Sequence, residues 1–218
     1  MDSSTGSRQA GLTPGAQDVL TAVASLTSLA PYVGGFVSAS LTGYVAHGSR
    51  RRFEALIWEL EAEIAKLGVE KVDADFFETD EFTDLLLKAG RISGETRDAE
   101  KRRWCAAILA GALAVDHAPD LDHEGLLGTV GALSPQTLAV ARECFVRATN
   151  SAPTNLENPL VEPPDGVHGK FFLAQMRGAG LIDEESVSVY DTPSRVSYRV
   201  SPTFRALMEL VGVEVERG

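Results

Sequence analysis

The chain is short of cysteine, of aromatic residues and of positive charge. Its 218 residues include only two cysteines, Cys105 and Cys144, and 7% aromatic residues. Two widely spaced cysteines exclude a disulfide-stapled miniprotein, and without a recognisable secretory cleavage site they predict a reduced, cytoplasmic setting. The 20 Lys+Arg are outnumbered by 31 Asp+Glu, which gives a net charge of −11. This excess of acid argues against broad coating of nucleic acid, which depends on neutralising phosphates.

Charge of either sign is missing from a long stretch near the N-terminus. Residues 1–17 are rich in Ser, Gly, Thr and Pro and predict a flexible tail. Then 28 uncharged residues run from Val19 to Ala46. Pro31 interrupts them, as does the glycine pair that follows, so the stretch predicts two helical pieces joined at PYVGG. We interpret residues 18–48 as an apolar helical hairpin or a membrane-associated segment.

Two interpretations of this segment stay open. Small residues repeat every four positions, which allows close helix packing, and the arginines that follow suit the cytoplasmic flank of a membrane. Eleven of the 28 residues are Ser, Thr, Gly or Pro, however, so membrane insertion would be marginal. The alternative is a buried hairpin packed on residues 50–115 or on another subunit. The residues expected to contact a membrane or partner are Val33, Gly35, Phe36, Ala39, Gly43, Tyr44, Arg50, Arg51 and Arg52.

Apolar residues spaced by three and four positions predict a helical domain over residues 49–133. In the first helix, Leu56, Leu60 and Ile64 share one face. Thr79 is the expected N-cap of the second helix. The predicted helices span about 50–67, 80–94 and 96–115, and a short apolar segment follows at 125–133.

No group of residues forms a catalytic pattern. The loop 116–124 contains carboxylates and imidazoles, but its spacing fits neither an HExxH helix nor an EF-hand. The acidic run over 73–84 has no adjacent base, and both cysteines lie in apolar helical patterns typical of a core. We therefore predict a protein that is not an enzyme, with no catalytic residue, no metal and no cofactor. A metal-dependent enzyme that uses the loop is the third and weakest hypothesis.

The chain changes character over residues 134–218. Ser-Pro starts a helix at 134–135, a proline-rich connector covers 150–166, a second helix spans about 167–178, and alternation around DTPSR predicts a β-hairpin. The order of these elements resembles a winged-helix domain over about 134–213. The resemblance rests on Leu173, Met176, Gly180, Leu181 and Ile182 at the turn after the second helix, and on Tyr198, Val200, Ser201, Phe204 and Leu207 in the following strand and helix.

The winged-helix resemblance implies a set of candidate DNA contacts, because this family often places its second helix in the major groove. On that helix they are Lys170, Gln175 and Arg177, and on the hairpin they are Arg195 and Arg199. The region from 134 onwards has 8 basic against 11 acidic residues, a net charge of −3. That balance disfavours DNA binding at physiological salt.

Taken together, the sequence predicts a mainly α protein: a helical N-terminal region and a C-terminal winged-helix module with one β-hairpin. The layout of an apolar head, an acidic helical middle and this tail is similar to that of bacterial abortive-infection proteins of the Abi-alpha kind, which implies a role in phage defence. We predict a regulatory or interaction protein that engages a membrane or a protein partner, including a second copy of itself, through its N-terminal hairpin. It would reside in the cytoplasm or at the cytoplasmic face of a membrane. The alternative is a sequence-specific DNA-binding transcriptional regulator.

Overall fold

The protein is mainly helical, with one small antiparallel sheet, in the part of the chain that the structure describes. This structure is a computed structural model. It describes residues 46–77, 79–115, 121–151, 159–161, 168–187 and 195–213.

Helix α1 (Ala46–Leu67) is longer than its apolar pattern predicts. We expected one helical segment to end at residue 48 and a new helix to begin at residue 50. This prediction is wrong, because the backbone is helical through both positions. A single glycine costs a helix about 1 kcal/mol, and the arginines that follow are good helix formers, so Gly48 does not end it. Gly68, with a φ of 93°, follows the last turn, and a 3-10 turn spans Val69–Lys71.

Helices α2 (Ala74–Phe77), α3 (Asp80–Glu95) and α4 (Ala99–Ala112) follow. The predicted cap of α3 is confirmed, since Thr79 Oγ1 accepts a hydrogen bond from Phe82 N at 3.2 Å. Helix α4 ends three residues before the predicted Val115. There the chain leaves the helix and Ala114 forms an isolated β-bridge with Val72, a long-range pairing that helical periodicity cannot reveal.

Helices α5 (His123–Ala132) and α6 (Pro135–Ser151) meet at a short junction. Asp122 caps α5 by accepting from Gly125 N at 2.7 Å, and Ser134 caps α6 by accepting from Thr137 N at 3.1 Å. The apolar segment predicted at 125–133 is thus a helix, and the Ser-Pro start of α6 is confirmed.

The C-terminal part contains helices α7 (Gly169–Gly178) and α8 (Pro202–Leu210) with a sheet between them in sequence. The predicted hairpin is confirmed as strands β2 (Ile182–Val187) and β3 (Arg195–Val200), which pair antiparallel. A strand that the sequence did not predict, β1 (Leu160–Val161), lies inside the proline-rich connector and pairs with β3. The sheet order is therefore β1-β3-β2.

One cluster of buried apolar side chains joins the helical region to the C-terminal part. Helix α4 contributes much of it and packs against α1, α3, α5 and α8. At the contact between α4 and α8, a Cβ atom on Gly111 would overlap Leu210 Cδ2, so the two helices approach closely at a residue without a side chain. This shared core holds α6, α7 and the sheet against the helices that precede them.

Candidate recognition surface on the C-terminal helix and hairpin

One face of α7 is fixed in the core and the other is open. Leu173 and Met176 are buried, with 4% and 0% exposure. At 3.6 residues per turn, the positions half a turn away must face outward. The exposed residues on the open face are Lys170, Phe171, Ala174, Arg177 and Gly178.

The turn after α7 is a Schellman motif, which ends the helix and redirects the chain into β2. Leu181 N donates to Met176 O at 2.9 Å, and Gly180 N donates to Arg177 O at 3.0 Å. Gly180 has a φ of 73°, a left-handed conformation that glycine adopts without steric penalty. The turn predicted here is confirmed.

Ser201 connects the turn, the hairpin and the last helix. Its Oγ donates to Gly180 O at 2.7 Å and accepts from Phe204 N at 3.0 Å. Its backbone N donates to Leu181 O at 3.1 Å. One buried residue thus links the turn after α7, the hairpin and α8 through hydrogen bonds.

Four of the five predicted DNA contacts lie on or beside α7 and the sheet. Three of these four side chains already bond to another residue of the chain. Lys170 is exposed. Gln175 is half-buried, and its Oε1 accepts a hydrogen bond from the buried hydroxyl of Thr137 on α6. The side chain of Arg195 lies outside the described residues.

The two remaining arginines are paired with carboxylates of β2. Arg177 on α7 forms an ion pair with Glu184. Arg199 Nε on β3 lies 2.5 Å from Glu185 Oε2 across the hairpin. These pairings neutralise the two arginines within the chain, and the exposed Asp183 adds a further negative charge beside them.

The centre of the open face is apolar. Phe171 is 57% exposed, and its ring meets that of Phe172 edge-on with centroids 5.8 Å apart. Ala174 and Gly178, the small residues on the same face, leave space around the phenylalanine. Aromatic side chains are enriched at the buried centre of protein interfaces, where a few residues dominate the binding energy.

Most of the predicted membrane or partner contacts, from Val33 to Tyr44, lie outside the described residues, as does the side chain of Arg50. Arg51 is exposed, and Arg52 donates to Gly94 O, the carbonyl of a residue near the end of α3. Among the described helices, none combines the length and apolar character needed to span a membrane.

The two cysteines considered as nucleophiles lie in the core. Cys105 and Cys144 are both buried, and burial raises the pKa of Cys105 to about 12 and moves the pKa of Cys144 upward. Lys101 next to Cys105 lowers that pKa, but by less than burial raises it. Within the described ranges no three metal-ligating side chains cluster, and loop residues 116–120 fall outside those ranges.

Two exposed aromatic residues were not singled out from the sequence. Phe171 lies about half a turn from both Leu173 and Met176, and Trp58, 74% exposed on α1, lies two positions beyond the buried Leu56. A helical projection drawn from the buried positions places both aromatics outward. Comparison of the sequence with known protein families, with curated proteins and with solved structures finds no match.

Proposed function

We propose that this chain is a non-enzymatic regulatory or interaction protein, whose C-terminal unit is a winged helix that recognises a protein partner. The N-terminal uncharged segment serves to engage a membrane or partner, and the layout shared with abortive-infection proteins makes phage defence the proposed process. The recognition surface is the open face of α7 together with the adjoining strand β2.

The winged-helix assignment is supported by the order of the elements. Helix α6 precedes α7, a Schellman turn leads from α7 into the β2–β3 hairpin, and a serine cap joins β3 to α8. The short strand β1 completes a three-stranded antiparallel sheet. Helices joined to a small sheet in this order are what the sequence resemblance implies.

The observation that carries the protein-partner assignment is the contrast between charge and apolar surface on α7. Arg177 is held by Glu184, whereas Phe171 projects into solvent with 57% of its surface exposed. Exposed ion pairs contribute little to affinity, while a desolvated aromatic side chain at the centre of an interface often dominates it.

If the same surface bound DNA, the paired arginines would have to release the glutamate carboxylates and bind phosphates instead. The carboxylates of Asp183, Glu184 and Glu185 would remain beside the backbone of the DNA and repel it. Among the five candidates, Lys170 alone has a described side chain that is exposed and forms no ion pair with another described residue. One lysine gives too little counterion release for tight binding.

The test uses the full chain with a photoreactive phenylalanine analogue at position 171, expressed in its bacterial host. We expect irradiation to produce one protein adduct of discrete mass. The same analogue at Glu209, an exposed position on α8, is the matched control and should give none. Equal adducts at both positions would count against a specific surface.

A parallel measurement addresses the DNA alternative. Wild-type protein and the Lys170→Glu variant are titrated against mixed-sequence duplex DNA and against heparin at low salt. We expect neither to bind. Salt-sensitive binding by the wild type that Lys170→Glu abolishes would replace the protein-partner proposal with the DNA-binding one.

A further inference from the structure

Strand β2 lies at one end of the three-stranded sheet. The sheet order is β1-β3-β2, so β2 pairs with β3 along one side, and no described strand pairs with its other side. The opposite end of the sheet is β1, which has two residues, whereas β2 has six. Of the two ends, β2 is therefore the one long enough to accept a further strand.

The hydrogen bonds of the sheet fix which backbone groups of β2 point away from β3. Ser201 N donates to Leu181 O at 3.1 Å, in register with the hairpin. In an antiparallel pair such bonds recur at every second residue, so the odd-numbered residues of β2 bond to β3. The bond from Val200 N to Pro159 O, on the β1 side of β3, follows the same alternation. The residues of β2 that present N–H and C=O groups to the open side are the even-numbered ones: Ile182, Glu184 and Ser186.

The same strand carries an excess of negative charge. Asp183, Glu184 and Glu185 follow one another along β2, and all three are exposed. Glu184 pairs with Arg177 of α7, and Glu185 pairs with Arg199 of β3. Asp183 forms no ion pair with another described residue. Three carboxylates are thus matched by two arginines, and one negative charge is left over beside the open edge.

We infer that the open edge of β2 binds an extended, basic segment of the partner protein, which adds to the sheet as a further strand. The inference rests on the proposed function, because β2 is part of the recognition surface, and it names the chemistry of the partner. In this mode of recognition, main-chain hydrogen bonds give affinity and alternate side chains give specificity. Successive strand residues point to opposite faces, so Lys or Arg at alternate positions of the added strand lies beside Asp183 and Glu185.

Other occupants fit this edge less well. If two copies paired through β2 with the two-fold axis at Glu184, Asp183 of each copy would face Glu185 of the other, and like charges directly opposite are destabilising. Anionic lipid and nucleic acid would be repelled by the same carboxylates. The uncharged stretch from Val19 to Ala46 offers them no positive charge. A basic extended segment satisfies both the open backbone groups and the charge.

The test measures amide hydrogen exchange of the full chain by NMR, with and without a capped octapeptide of alternating lysine and valine. In the free protein the amides of Glu184 and Ser186 should exchange fast, and those of Asp183 and Glu185 slowly, because only the latter bond to β3. Saturation with the peptide should slow exchange at Glu184 and Ser186 by at least ~10-fold. A glutamate–valine peptide of the same length is the matched control and should leave both amides unprotected.

Proline at position 184 isolates the contribution of the backbone. Glu184→Pro removes an N–H that points away from β3, so the bonds between β2 and β3 remain, and proline is tolerated on an edge strand. Glu184→Ala removes the same carboxylate but keeps the N–H. We expect Glu184→Pro to weaken binding of the lysine–valine peptide ~10-fold more than Glu184→Ala does, measured by fluorescence anisotropy, because a peptide carbonyl loses its donor. Circular dichroism shows whether both variants fold, and the exchange measurement on the wild type needs neither.

Three results would overturn the inference. The first is slow exchange at Glu184 and Ser186 in the free protein, which would mean that another part of the chain or a second copy already occupies the edge. The second is that the lysine–valine peptide does not bind, or binds without protecting these amides. The third is equal weakening by folded Glu184→Pro and Glu184→Ala.

Failure of the proposed function is recognised separately. The photoreactive analogue at position 171 reports on the recognition surface as a whole, so the absence of any adduct would count against the proposed function. An adduct that persists unchanged when Glu184→Pro is added would support a partner at α7 and contradict the added strand alone.

Discussion

A buried lysine joins two helices of the helical region, α4 and α5, and its replacement is expected to weaken the fold. Lys101, on the first turn of α4, is 8% exposed. Its Nζ donates to Gly131 O at 2.9 Å and to Leu133 O at 2.7 Å. These carbonyls lie at the C-terminal end of α5, where backbone acceptors lack partners within the helix and a positive charge interacts favourably with the helix dipole.

The expected loss follows from these two bonds. A hydrogen bond to a charged group contributes about 1.5–3 kcal/mol. The Lys101→Met variant loses two such bonds but no longer buries an ammonium group, which offsets part of the loss. We expect a fall of about 2 kcal/mol in the free energy of unfolding, which for a chain of this size lowers the midpoint of thermal unfolding by about 4–8 °C.

The loss should also depend on pH. Burial lowers the pKa of Lys101 below its usual 10.5, so the folded state releases this proton at a lower pH than the unfolded state does. Between the lowered pKa and 10.5 the unfolded state holds more protons, and the stability of the wild type gains from rising pH. Methionine has no such proton, so the deficit of Lys101→Met should widen as pH rises through this window.

Urea unfolding followed by circular dichroism at several pH values measures both effects. Lys66→Met is the matched control, since Lys66 is 69% exposed and forms a single surface ion pair with Glu63. Its effect should stay within about 0.5 kcal/mol. A Lys101→Met variant as stable as this control, at every pH, would refute a stabilising role for the buried amine.

Two further predictions concern the core. A Cβ atom on Gly90 would lie 2.6 Å from the ring of Phe53, so Gly90→Ala should lower the free energy of unfolding by about 1–2 kcal/mol in urea titration. Gly128→Ala, whose nearest contact is Lys88 Nζ at 3.7 Å, should be neutral or stabilising, and equal losses would contradict the close packing of α1 on α3. With its pKa raised to about 12, the Cys105 thiol should not react with a disulfide reagent at pH 8 until the protein unfolds. Rapid labelling of Cys105 in the folded state would show that it is accessible.

Features set by local chemistry were predictable from the sequence. The caps at Thr79, Ser134 and Ser201 accept the hydrogen bonds expected of them, because a serine or threonine before an apolar periodic run satisfies backbone donors two or three residues ahead. The β-hairpin was predictable from the alternation of apolar and polar residues along its two strands. In each case the residues that carry the pattern belong to the element it specifies or lie within a few positions of it.

Features set by distant partners were not predictable. Strand β1 has only two residues, too few for a period, and it exists because Leu160 and Val161 pair with residues almost forty positions later. The role of Lys101 depends on carbonyls about thirty residues away. The ion pairs of Arg177 and Arg199 likewise form with glutamates of strand β2, which the fold brings beside the two arginines. A count of charged residues gives the net charge of this region but does not show which residues pair.

The two exposed aromatic residues lie on separate helices and can be replaced independently. Helix α1, with Trp58, packs against α3 and α4, whereas α7, with Phe171, packs against α6 and β2. Neither aromatic side chain belongs to the core cluster, so each can be replaced without removing a buried contact. Trp58→Glu should therefore leave the adduct formed by the photoreactive analogue at position 171 unchanged, which would show that the surface of α7 binds its partner without the outer face of α1. Loss of that adduct in a folded Trp58→Glu variant would mean instead that α1 contributes to the same binding surface.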